Sequence, residues 1–303
     1  MKKILITGAD GFTGRYLANE LQRAGYEVHG LVHKPLPDGV AGVAKLYVGD
    51  LSDAARLTAV VQEVRPHQVA HLAAIAFVAH GDVDAMYRTN VVGTRNLLEA
   101  LVQGKAPVNK VLLASSANVY GNSVGGVLDE ATPAAPANDY AVSKVAMEFV
   151  ARLYAERLPM VLARPFNYTG VGQSESFLIP KIVNHVRRHA PLIELGNLEV
   201  ARDFSDVRTV VQCYCRLLQA DAAAVVGQTF NVSSGRAWTL NEVLAMVREI
   251  SGHPFEVRVN PAFVRQNEVK LLVGSSAKLE AAIGALPPIA LAATLRWMLE
   301  ASA

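Results

Sequence analysis

The chain has 303 residues, 51% hydrophobic and 18% charged, a balance that excludes intrinsic disorder and lets a core form without disulfide or metal staples. Lysine and arginine total 29 against 27 acids, a net charge of +2 with no basic run, which argues against a nucleic-acid partner. The two cysteines, Cys213 and Cys215, lie two apart in helix-like sequence and cannot face each other, Met1 opens no secretory leader pattern, and no apolar run reaches ~18 residues, so a soluble cytoplasmic protein is expected.

Short apolar runs alternate with helical periodicity through the first half. Residues 3–7 read as a buried strand, 11–24 as a helix with Tyr16, Leu17, Leu21 and Ala24 near one face, and 27–32 and 45–49 as strands. A helix over 53–65, a strand over 67–73, a long helix over 82–103 and a strand over 110–114 follow. A helix over 139–157, capped by Asn138 or Asp139, leads to a strand over 160–163. This alternation predicts an α/β protein, a doubly wound parallel sheet with right-handed crossovers and helices on both faces. Beyond Pro165 the pattern loosens into a loop over 167–176, a helix over 177–188, a helical pattern over 204–218, a strand over 229–233 and a helix over 239–250 capped by Thr239 or Asn241. The second half is expected to form a smaller, mixed unit. His67, His80, His185 and His189 show no metal-ligand spacing.

Gly8, Gly11 and Gly14 follow the first strand and open the first helix. Glycines there allow a tight turn, close approach of a pyrophosphate and close helix packing, while the helix N-terminus offers free N–H groups to phosphate. The spacing is G-x-x-G-x-x-G. Together with Phe12 and Thr13 in this loop, Gly49-Asp50-Leu51 and His71-Leu72-Ala73-Ala74, it resembles the extended short-chain dehydrogenase/reductase family over essentially the whole chain. The resemblance implies a Rossmann-type nicotinamide-binding domain from residues 1–166 and 204–233 and a substrate domain from 167–203 and 234–303. It places Asp50 and Leu51 at the adenine and Ala73 and Ala74 over the cofactor. An NAD enzyme usually ends its second strand with an acid for the ribose 2′-hydroxyl. Val32 stands there, followed by His33 and Lys34, which suit a 2′-phosphate, so NADP is expected ahead of NAD. If His33 and Lys34 are only solvated turn residues, NAD binds without an acid partner.

Tyr140 and Lys144 stand four apart on one helix face. An ammonium beside a phenol favours the phenolate and draws its pKa down from ~10. Ser115 and Ser116 follow the fifth strand, at the carboxyl edge where such sheets bind ligands. The family resemblance makes Ser116 the residue that polarises the substrate oxygen, Tyr140 the acid/base, and Lys144 the group that tunes Tyr140 and binds the nicotinamide ribose. Ser115 is the less favoured candidate for the role of Ser116, its other reading being a simple turn residue. Family dehydratases carry acids just after this serine, because eliminating water needs a base and an acid. Ala117 and Asn118 do not titrate, which leaves simple redox at a carbinol carbon.

Arg164-Pro165-Phe166-Asn167-Tyr168-Thr169-Gly170 with Gln173, and Gly196-Asn197-Leu198 followed by Arg202-Asp203-Phe204, Asp206, Val207 and Arg208, resemble segments of GDP-sugar enzymes within the family. On that resemblance Arg202 contacts the diphosphate through its guanidinium fork, and Asn167 and Asn197 contact the sugar nucleotide. Arg265 grips the second phosphate and Glu268 holds a ribose hydroxyl, although Gln266 replaces the family's proline between them. Lys181 reads as a solvated helix lysine and Asn90 as a structural asparagine. In relatives the helices over 82–103 and 139–157 pair as a four-helix bundle, so a homodimer is expected. The implied activity is reduction of the C4 keto group of a GDP-linked 4-keto-6-deoxyhexose with NAD(P)H, foremost GDP-4-keto-6-deoxy-D-mannose to GDP-D-rhamnose. The talo product stays open, as do a nucleotide-sugar 4-epimerase with tightly bound NAD and a non-catalytic NADP-sensing protein.

Overall fold

The computed structural model describes residues 1–76, 81–122, 126–264 and 269–301. Its first half runs β1 (Lys2–Thr7), α1 (Phe12–Arg23), β2 (Tyr26–Val32), β3 (Lys45–Val48), α2 (Ala54–Val64), β4 (Gln68–His71), α3 (Val83–Tyr87), a π-helical turn (Arg88–Gly93), α4 (Thr94–Gln103), β5 (Lys110–Ala114), α5 (Asp139–Arg152) and β6 (Met160–Pro165). The second half adds β7 (Asn167–Thr169), α6 (Leu178–Arg187), β8 (Leu192–Leu195), β9 (Ala201–Asp206), α7 (Val207–Gln219), α8 (Ala222–Val225), β10 (Thr229–Val232), β11 (Ala237–Thr239), α9 (Leu240–Ser251), β12 (Glu256–Val259), β13 (Leu271–Leu272), α10 (Ala277–Ile283) and α11 (Leu291–Glu300).

A seven-stranded parallel sheet has the order β3-β2-β1-β4-β5-β6-β10. The chain moves outward from β1 to β3 and then crosses back to β4, so the order reverses between β1 and β4. Open parallel sheets bind ligands beyond the carboxyl ends of the strands at such a point. Successive side chains of one strand face opposite layers. Ile4 and Ile6 of β1 and Leu112 of β5 pack with Leu17 and Leu21 of α1 and Val210 and Tyr214 of α7. Leu5, Val111 and Leu113 face the other way, toward Leu57 of α2, Leu97 of α4 and Met147 of α5. A third core joins Ile182 of α6, Val243 of α9 and Leu295 of α11 with Phe204 of β9. β9 pairs with β7, β11 and β13, and β8 pairs with β12.

The helical pattern over 204–218 begins later than its periodicity suggests. Residues 204–206 extend β9, because Phe204 is recruited to the third core and pairs opposite Asn167. Asp206 then caps α7, accepting from the Arg208 N–H at 2.8 Å. The long helix expected over 82–103 runs from Val83 to Gln103 and carries the π-helical turn inside it. The helix from residue 139 stops at Arg152 and continues as turns, and the loop over 167–176 contains β7. Asn138 caps α5, and Thr239 forms a capping box with Glu242 at the head of α9.

Lys110 fastens α7 to the sheet. Its buried Nζ donates to the carbonyls of Leu217 (3.4 Å), Leu218 (2.9 Å) and Ala220, and Gln68 Nε2 donates to Leu218 O at 2.8 Å. A cation at these carbonyls also meets the negative end of the helix. Replacing it with an isosteric apolar chain strands carbonyls in the interior. Lys110→Met is therefore expected to cost about 1–3 kcal/mol, read as a lower urea midpoint with an unchanged m-value.

Candidate active site

β1 ends at Thr7 and the chain turns at Gly8 with φ +69°. A Cβ on Gly14 would lie 2.1 Å from the Gly8 carbonyl oxygen, and one on Gly8 would lie 3.0 Å from the Ala73 backbone. Gly11 heads α1 and makes no side-chain cap, which leaves the first-turn N–H groups for a ligand. This uncapped helix end behind glycine walls offers the N–H groups of Phe12, Thr13 and Gly14 to an anion such as a dinucleotide pyrophosphate, while the Gly8 and Gly11 N–H groups are taken by Leu31 O and Gly8 O. Tyr168, which the sequence reading gave no role, braces the loop. Its hydroxyl lies 2.8 Å from Thr13 Oγ1 and its ring stacks on Phe12, with centroids 6.1 Å apart. The Tyr16 hydroxyl donates to Val171 O at 2.7 Å in the same seam.

At the carboxyl end of β2 Val32 is buried, while His33 and Lys34 are exposed. His33 Nε2 lies 3.0 Å from Asp50 Oδ2, so His33 is engaged by the acidic turn and is not a free phosphate ligand here. Hydrogen bonds from Ser52 and the neighbouring His33 hold the Asp50 carboxyl below its usual range. Leu51 is buried and its carbonyl accepts from Asn96 Nδ2 at 2.9 Å. Ala73 and Ala74 are half-buried just beyond β4, with the Ala73 backbone packed against Gly8.

Ser116, Tyr140 and Lys144 converge at the carboxyl end of β5. All three are buried, and the nearby Ser116 hydroxyl opposes the upward shift that burial imposes on the Tyr140 phenol. Lys144 Nζ donates to Ala114 O at 2.8 Å and sits 6.0 Å from the Tyr140 ring centroid. Burial pushes the Tyr140 phenol well above its ordinary value. This reverses the expectation that Lys144 draws the phenol down, because the ammonium is turned to the Ala114 carbonyl and desolvation prevails. Burial lowers Lys144 to about 8, against the opposing pull of Glu148. Ser115 turns away from Ser116, donating to Glu148 Oε1 at 2.5 Å. The same buried carboxylate takes Arg164 through Nε at 2.8 Å and Nη2 at 2.6 Å, and Arg164 Nη1 donates to the Tyr120 hydroxyl at 3.0 Å.

A hydrogen-bond chain of fixed direction runs beneath the crevice. Thr94 Oγ1 donates to Asn90 O at 2.8 Å, so it accepts from His71 Nε2 at 2.8 Å. A neutral ring then accepts at Nδ1 from Thr7 Oγ1 at 2.6 Å, and Thr7 accepts from the Ala73 N–H at 3.2 Å. Asn90 extends the chain, its Oδ1 accepting from Ile75 N and its Nδ2 donating to Ser143 Oγ, which donates to Tyr140 O. Burial and then the Lys144 charge drive His71 down to about 3.

The substrate candidates lie on the smaller unit. Asn167 opens β7 and is half-buried. Asn197 Oδ1 accepts from Glu199 N at 3.0 Å, which makes it a turn residue as well. Arg202 lies on β9, with Nη1 donating to Ala201 O at 3.0 Å and Lys270 O at 3.4 Å. Its neighbour Asp203 is buried and accepts from Ser234 N, Ser234 Oγ and Gly235 N. Lys181 Nζ donates to Glu194 O and lies over the Phe263 ring. Arg265, Glu268 and His80 lie outside the described residues. Among the described residues no three His, Cys, Asp or Glu side chains could hold a metal, and no helix is long and apolar enough to cross a membrane.

His71 gives the fold a defined acid response. Between about pH 3 and its unfolded value near ~6.5, the unfolded chain binds a proton that the folded chain refuses. Its contribution therefore falls as pH drops through this window and is constant above it. Lowering pH from 7 to 5 is expected to cost wild type about 2 kcal/mol more than it costs His71→Gln, measured by urea unfolding at both pH values.

The geometry meets its counterparts among known proteins. The family model described as GDP-mannose 4,6 dehydratase matches residues 5–298. The GDP-6-deoxy-D-talose 4-dehydrogenase of Aggregatibacter actinomycetemcomitans is 31% identical, with 93% of this chain and 91% of that protein covered. The GDP-6-deoxy-D-mannose reductase of Pseudomonas aeruginosa is 32% identical, covering 99% and 96%. A crystal structure from Burkholderia cenocepacia, provisionally named an epimerase, is 53% identical with a TM-score of 0.92 and covers 99% of this chain and 97% of that one. The structure of RMD from Pseudomonas aeruginosa complexed with NADPH is 30% identical with a TM-score of 0.85, covering 99% and 98%. The chain belongs to the GDP-mannose 4,6-dehydratase-like family of extended short-chain dehydrogenase/reductases.

Proposed function

We propose that the protein reduces the C4 keto group of GDP-4-keto-6-deoxy-D-mannose, with NADPH as the preferred cofactor and GDP-D-rhamnose as the product. The observation that carries this reading is the buried Ser116–Tyr140 pair with no titratable group in the two residues after Ser116. Names of relatives support the GDP-linked 6-deoxyhexose, and the NADPH complex of one supports the cofactor. The cofactor supplies hydride to C4 when bound.

The protein's own groups handle the oxygen. Burial keeps the Tyr140 phenol protonated, so it meets the substrate as an acid and delivers its proton to O4 as negative charge develops there. Ser116 holds the same oxygen and stabilises that charge in a site shielded from water. Lys144 stands ready to compensate the tyrosinate left behind and to bind the nicotinamide ribose. Arg202 is assigned to the diphosphate, with Asn167 and Asn197 beside the sugar nucleotide and Arg265 and Glu268 completing the grip. His33 and Lys34 are assigned to the 2′-phosphate, which requires His33 to leave Asp50.

A second reading, 4-epimerisation with retained NAD, is supported by the name of the 53% identical structure. A reductase consumes NAD(P)H stoichiometrically with GDP-4-keto-6-deoxymannose, whereas an epimerase purifies with its cofactor and consumes none. Tyr140→Phe is expected to lower turnover at least 100-fold with sugar-nucleotide affinity within about threefold, followed by NAD(P)H absorbance and calorimetric titration. Product identification by NMR distinguishes rhamnose from talose.

We also assign a second copy of the chain to the outer face of α5. Val142, Phe149 and Leu153 are exposed there, with Val83 and Val92 exposed on the neighbouring α3 and π turn. Packing this face in a four-helix arrangement removes a row of apolar side chains from water. Leu153→Asp combined with Phe149→Glu is expected to convert dimer to monomer in sedimentation velocity. A wild-type protein that sediments as a monomer rules out this face as the interface.

A further inference from the structure

Ser116 matters through its proton, and the structure shows what directs that proton. A serine hydroxyl has two acceptor lone pairs and one donor. In this protein the Ser116 oxygen accepts from the Asn118 backbone N–H at 3.1 Å and from Asn118 Nδ2 at 3.1 Å. The first bond closes the cap of the short 3₁₀ turn Ala117–Tyr120, for which Ser116 is the N-cap with φ −160° and ψ 147°. The second comes from the side chain of the same residue. With both acceptor sites filled by one asparagine, Ser116 has only its proton left to offer, as a donor to an oxygen placed on the Tyr140 side.

Resting on the reductase reading, we infer that Asn118 is a positioning residue that makes Ser116 an obligate hydrogen-bond donor toward the substrate C4 oxygen. A carbonyl oxygen arriving between Ser116 and Tyr140 then meets two donors. The site is preorganised for charge growing on that oxygen and needs no hydroxyl rotation at the moment of reaction.

The test is a double-mutant cycle of Asn118→Ala with Ser116→Ala, plus Asn118→Asp, followed by NAD(P)H oxidation with GDP-4-keto-6-deoxymannose. Asn118→Ala is expected to lower kcat roughly 10- to 100-fold, with KM for both substrates within about twofold. Asn118→Asp, close in shape but unable to donate, is expected to lose at least as much. In the Ser116→Ala background Asn118→Ala is expected to change kcat less than about twofold, because the residue acts through Ser116. Full activity in Asn118→Asp, a loss confined to KM, or independent losses that multiply in the cycle would each overturn the inference. Absence of turnover by the wild type defeats the reductase reading instead. The inference is then read from crystal structures of the wild type and Asn118→Ala. Ser116 should change rotamer in Asn118→Ala, and an unchanged Ser116 rotamer overturns the inference whatever the reaction.

Discussion

A neutral imidazole, bonded at both ring nitrogens, ties the end of β1 beside the glycine loop to α4 and, through Asn90, to α5. His71 ends β4 at the strand-order reversal, takes the Thr7 hydroxyl from β1 and gives its own proton to Thr94 on α4. The Asn90 carbonyl fixes the direction of every bond in the chain, since it accepts and cannot donate. The π turn holds Asn90 where its amide joins Ile75, just after Ala73 and Ala74, to Ser143 on α5. The glycine loop, the segment after β4 and the helix bearing Tyr140 and Lys144 are thereby located against one another by buried, fully paired groups. Such groups specify one arrangement because leaving any of them unpaired is expensive.

Electrostatics follow from the same burial. Tyr140 and Lys144 are both removed from water, and desolvation shifts each toward its neutral form, the phenol up and the ammonium down. Glu148, one helical turn beyond Lys144, opposes the second shift, and Arg164 with Ser115 keeps that carboxylate paired.

Much of the larger unit was legible in the residues. Strand runs such as 3–7 and 110–114 are buried on both faces, so hydrophobic continuity marked them. Gly8 and Gly14 stand where the backbone leaves no room for a side chain. The smaller unit was less legible because its strands are short; β13 spans only Leu271 and Leu272, and β9 carries polar residues that are satisfied by other segments. Phe204 has helical spacing but joins a core supplied by α6, α9 and α11, contacts that no local window contains. Tyr168 stood inside a quoted motif, yet its partners Phe12 and Thr13 are more than 150 residues away in sequence.

The sequence by itself determined the α/β class, the glycine loop, the Ser116, Tyr140 and Lys144 set and the absence of acids at 117 and 118, because each is written in local spacing and residue type. Only the tertiary structure decided how those groups behave. It turned Lys144 toward Ala114, engaged His33 with Asp50, directed Ser115 to Glu148 and filled both lone pairs of Ser116 from Asn118. Hydrogen-bond direction and desolvation depend on what surrounds a side chain in space, and those surroundings are assembled from strands and helices far apart along the chain.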